Sequence, residues 1–62
     1  LHHQGVEWLG MTFLFLTLDS MLEKPALLSD VMTMIERFNE WYSTAFDPQK
    51  AAEEFIEWRN GT

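Results

Sequence analysis

The chain has 62 residues, 47% of them hydrophobic and 15% aromatic. That composition argues against a disordered chain and fits one small domain, near the size at which a single core only just offsets chain entropy. There is no cysteine to staple it and no Cys/His spacing for a structural zinc, so association with another chain is the remaining common remedy. Ten acidic residues against four basic ones give a formal charge of −6, which repels phosphate backbones and anionic lipid surfaces.

The first residues, 1–5, read as a flexible tail. His2 and His3 are adjacent there and make a poor metal site, because nothing nearby supplies further donors. Leu1 is not a methionine, which fits a chain trimmed or cut from something longer.

The first element is a helix over about 6–23, centred on the run GMTFLFLTL. On a helical wheel Trp8, Met11, Leu14, Phe15, Leu18, Met21 and Leu22 share a broad face, and Val6, Leu9, Phe13 and Leu16 form a second stripe. Two further helices with one apolar face each cover the broad face and leave the second stripe without a neighbour. Burying each such side chain is worth about 1.5–3 kcal/mol, so the stripe is expected to meet another chain. Gly10 costs roughly 1 kcal/mol inside a helix, a cost that fits a close approach by that other chain. A strand over 12–17 is the competing reading, but the chain has no second strand to pair with it. The run is also shorter than the ~20 apolar residues of a membrane-spanning helix, and Glu7, Asp19 and Ser20 fall within or beside it. It lacks the basic flank and small-residue cleavage site of a secretory signal.

The second helix is expected over about 26–46. Leu28, Val31, Ile35, Phe38, Tyr42 and Ala45 recur at alternating spacings of three and four, which places them on one stripe that Leu27, Met34 and Trp41 widen. Pro25 suits its first position and Ser29 suits an N-cap, so the start is ambiguous. Met32 lies off the main stripe, at the edge of the core or within reach of a partner.

Phe46-Asp47-Pro48 then reads as a staple residue, an N-cap carboxylate and a first-turn proline for a third helix over 48–60. Ala51, Ala52, Phe55 and Trp58 face inward with Ile56 at their edge. Asn60-Gly61 is a stop, because glycine accepts the left-handed conformation that ends many helices.

No nucleophile system and no phosphate loop can be assembled from these residues, so catalysis is not expected. Glu36, Glu40, Glu53, Glu54 and Glu57 form an acidic face read as solvated, since helical di-metal sites draw on Glu-x-x-His pairs that do not occur here. Neither a metal nor another cofactor is expected. The sequence therefore points to an all-α, three-helix up-down arrangement in a single domain, completed by dimerisation into a helical bundle. It would be a small acidic protein-interaction module, cytoplasmic in character, whose self-association surface holds Val6, Leu9, Gly10, Phe13, Leu16 and Met32. The alternative is a subunit or inhibitor of a different, basic or nucleic-acid-binding protein, docked through the acidic face. A weaker one is a membrane-associated protein anchored by its first helix.

Overall fold

The computed structural model describes residues 2–61, with side chains from residue 10 onward. Among the described residues there are three helices and no strand: α1 (His2–Met21), α2 (Leu28–Tyr42) and α3 (Pro48–Asn60). The strand alternative for 12–17 is thereby settled in favour of helix. The expected start of the first helix, at 6, lies inside α1, which also takes in residues expected as a tail.

Side-chain contacts fix the direction of each helix. The Phe13 ring lies 5.6 Å from Phe38 and 5.1 Å from Tyr42, tying the middle of α1 to the end of α2. Arg59, at the end of α3, reaches Asp19, Leu22 and Glu23 at the end of α1. The Phe46 ring, just before α3, lies beside Gly10. Hence α2 runs opposite to α1 while α3 runs parallel to it, an up-down-up arrangement.

The core is the set Leu14, Leu18, Val31, Ile35, Phe38, Ala51, Ala52 and Phe55, contributed by all three helices. Their spacings of three and four are the sequence stripes made physical. The stripes are wider than the core can use, however. Leu27 is 69% exposed and Trp41 55%, so these two, expected to widen the buried face of α2, stand outside it; Met34 alone of the three packs against the core. Met21 of α1, also expected to face inward, is 49% exposed.

Two connections end the helices earlier than periodicity alone implies. Between α1 and α2 the chain leaves the helix after Met21, because the carbonyls of Leu22 and Glu23 accept hydrogen bonds from the Arg59 guanidinium instead of continuing a ladder. Pro25 then has no N–H to offer and biases Lys24 away from helical dihedrals. The N-cap of α2 is Leu27, in an extended conformation with no side-chain cap. Neither Pro25 at the first position nor Ser29 as the cap is realised. Ser29 lies inside the first turn, its carbonyl accepting from the Thr33 hydroxyl.

Between α2 and α3 the helix stops at Tyr42, short of the expected 46, and Ser43 takes the left-handed conformation at φ 54°. The cause is Asn39. Its Oδ1 accepts from the Phe46 N–H at 3.0 Å and the Thr44 hydroxyl at 2.7 Å, and its Nδ2 donates to the Phe46 carbonyl at 2.9 Å. One amide thus satisfies both backbone groups of Phe46, which requires residues 44–46 to be a loop. Phe46 is thereby turned into the core, its ring 6.0 Å from Phe38.

The start of α3 is as expected: Asp47 is the N-cap, accepting from the N–H groups of Gln49 and Lys50, and Pro48 opens the first turn. Its end differs in detail. Gly61 keeps right-handed dihedrals, φ −83° and ψ −7°, with its N–H on the Glu57 carbonyl. The helix simply runs out in a last ordinary hydrogen bond, with no left-handed cap.

Arg59 is the buried charged residue among those described, 7% exposed. Its Nε donates to Asp19 Oδ1 at 3.0 Å, Nη1 to the Glu23 carbonyl at 3.2 Å, and Nη2 to the carbonyls of Asp19, at 3.3 Å, and Leu22. The guanidinium lies over the Phe55 ring, 5.2 Å from its centre. It therefore occupies the C-terminal end of α1, where unpaired carbonyls and the negative pole of the helix dipole favour a cation.

Two stability outcomes follow from these contacts. Arg59→Met should cost about 2–4 kcal/mol in urea unfolding, since several carbonyls lose a charged donor together. Asp19→Asn should cost under about 1 kcal/mol, because that carboxylate is 43% exposed and screened by water. Equal losses for the two variants would show that the ion pair, and not the capping of carbonyls, holds α3 to α1. Asn39→Ala should cost about 1–3 kcal/mol by stranding the backbone of Phe46; a loss within error of zero would remove the amide's assigned role.

Candidate interaction surfaces

α1 carries different surroundings on its two sides. Toward α2, Phe13 packs edge-on against Tyr42 with an interplanar angle of 81° and tilts against Phe38, yet remains 48% exposed. Tyr42 itself is 50% exposed, with Trp41 adjoining it. Leu16, one turn beyond Phe13 and further round the helix, is 55% exposed. Phe13 and Tyr42 thus meet in a contact left partly in water, and Leu16 and Trp41 stand exposed on the same two helices.

Toward α3, Phe15 lies 5.7 Å from Phe55 and 5.5 Å from Trp58. Met11, Thr12, Phe15, Leu16 and Trp58 line a cavity of about 450 Å³ between the two helices, a size typical of binding pockets. Past the same aromatic pair a second hollow of about 440 Å³ is lined by Phe15, Trp58, Glu54, Glu57 and Gly61. The cleft therefore has an apolar floor and an acidic end. It arises because Trp58 and Glu54, four residues apart, share one side of α3, with Glu57 beside them.

The residues expected to form the self-association surface fall into separate situations. The side chains of Val6 and Leu9 lie outside the described residues. Gly10 faces inward: a Cβ built there would stand 3.6 Å from Phe46 Cζ, ordinary contact with a ring of the same chain. An added methyl would therefore fit against Phe46, and that ring does not by itself require a glycine at this position. Met32 packs against the core at its edge. Phe13 and Leu16 are exposed, as are Trp41 and Tyr42 of α2, which periodicity assigned to the core, and Tyr42 touches Phe13.

Glu36 and Glu40 are exposed on α2, and Glu53, Glu54 and Glu57 are exposed on α3, so the acidic set is divided between two helices. Among the described residues no three His, Cys, Asp or Glu side chains gather as a metal site would require. The side chains of His2 and His3 lie outside the described residues. No described helix is long and apolar enough to cross a membrane.

Asn39 and Arg59 were not singled out from the sequence. A signal existed for Arg59: it continues the inward spacing of Ala52 and Phe55 on α3, so a charged residue stands at a core position. Asn39 is adjacent to Phe38 on the buried side of α2 and seven residues before the backbone it holds, a separation that no local turn rule marks.

Comparison of the chain with protein-family models, with curated proteins and with solved structures finds no match in any of the three.

Proposed function

We propose that this protein is a small helical interaction module that pairs with a second copy of itself through the apolar flank of α1 and α2, and acts by binding. The observation that carries the reading is the joint exposure of Phe13, Leu16, Trp41 and Tyr42, each about half open to water on adjoining helices. Burial of such side chains contributes about 1.5–3 kcal/mol apiece when complete, and a small monomer gains little by leaving them wet. An interface of ordinary size takes about 800 Å² from each partner, within reach of one flank of a molecule whose surface is 4708 Å². A two-fold pairing uses the same patch on both copies, so one apolar flank is sufficient.

Each copy carries a formal charge of −6, so like-charge repulsion opposes pairing and the apolar contact must overcome it. Salt screens that repulsion, and self-association should therefore tighten as ionic strength rises.

Light scattering and sedimentation at micromolar concentration should report a dimer. Leu16→Glu and Trp41→Glu should each weaken pairing by at least about tenfold, with unchanged helical circular dichroism, because both positions are exposed and each introduces a charge into an apolar contact. A folded wild-type chain that stays monomeric at high micromolar concentration overturns the proposal.

A further inference from the structure

The cleft between α1 and α3 shares Leu16 with the self-association flank but is otherwise lined by different residues, and its chemistry points elsewhere. Its floor is the Phe15–Trp58 pair, whose rings are tilted at 40° with centres 5.5 Å apart. Its rim carries the carboxylates of Glu54 and Glu57, both exposed and neither in an ion pair among the described residues. Among the described residues no Lys or Arg makes an ion pair with either carboxylate. Arg59 is turned to the end of α1, Lys24 lines a separate hollow with Pro25 and Ile56, and Arg37 is on α2. Lys50 lies one turn before Glu54 on α3 and lines neither part of the cleft.

We propose that this cleft receives a basic amphipathic segment of a different protein, seating a bulky apolar side chain on Phe15 and Trp58 while neighbouring Lys or Arg side chains pair with Glu54 and Glu57. Charge complementarity selects this occupant. A second copy of the chain brings the same −6 charge, and nucleic acid or an anionic lipid surface brings phosphates that the rim repels. A basic segment is drawn by the net field, its cations are attracted by both carboxylates and aromatic faces, and its apolar residues at helical spacing fit a groove between two helices.

The test titrates a short leucine–lysine amphipathic peptide into the isotope-labelled full chain, with a leucine–glutamate peptide of the same pattern as control, and follows amide and indole signals by NMR. Saturable shifts at Met11, Phe15 and Trp58 with the basic peptide and none with the acidic one are expected. Affinity should fall as the Debye length shrinks from about 10 Å at 0.1 M salt toward 3 Å at 1 M. Glu54→Gln with Glu57→Gln should weaken binding about fivefold and leave the thermal midpoint unchanged, both side chains being exposed. Equal binding of the acidic peptide, indifference to salt, or shifts confined to the Phe13–Trp41 flank would overturn the proposal. The opposite salt dependence of self-association keeps a failure here separate from a failure of the pairing.

Discussion

The fold depends on one guanidinium. Arg59 sits at the far end of α3 and takes up the carbonyls at the end of α1, and this fixes three things together. It caps the carbonyls at the end of α1, it holds the first residues of the connection to α2, and it ties the end of α3 to the end of α1. A charged residue 7% exposed is costly unless its donors are satisfied, and here the Asp19 carboxylate and a set of carbonyls satisfy them. No buried side-chain polar atom among the described residues lacks a partner. The opposite end of the molecule has a neutral counterpart in Asn39, which pairs with the backbone of Phe46 and sends that ring toward Gly10. α1 and α3 are thus located at both ends by polar contacts, with the apolar core between them.

That arrangement explains why α1 has surplus apolar surface. Leu14 and Leu18 are enclosed by α2 and α3, but two neighbours cannot surround a helix that is apolar on both sides. Phe13 is left at one margin and Phe15 with Trp58 at the other, with Leu16 exposed between them. The margins differ in charge environment: the first adjoins Tyr42 and Trp41, the second Glu54 and Glu57. An uncharged apolar margin suits a like-charged copy, and an acid-rimmed one suits a cation. The two proposed contacts follow from that difference and make opposite demands on salt.

Much of the fold was legible in the sequence for definite reasons. Asp47-Pro48 names both the residue and the role at the start of α3, and the recurrence of Val31, Ile35 and Phe38 names the buried stripe of α2. What was not legible depends on distant partners. Periodicity places Trp41 and Leu27 on the stripe but cannot show that no helix arrives to cover them. Ser29 is a residue type that suits a cap, yet the helix begins earlier, with Leu27 in the extended cap conformation and Ser29 inside the first turn. Gly10 shows the same limit: its neighbour within the chain, Phe46, would stand in ordinary contact with an added methyl, so no close approach inside the chain explains the glycine. The exposed apolar surface was half legible for a related reason. The exposure of Leu16 could be expected from α1 alone, whereas that of Tyr42 and Trp41 depends on which part of α2 the other helices cover.

The most direct measurement of the central constraint is hydrogen exchange at the Arg59 Nε–H, followed by NMR together with the core amides. If the guanidinium holds α1 and α3 together, that proton should be protected and should exchange only with the global unfolding that releases the amides of Leu18 and Phe55. Fast exchange at the side chain while the core amides remain protected would contradict the account, because the end of α1 would then be secured by something else.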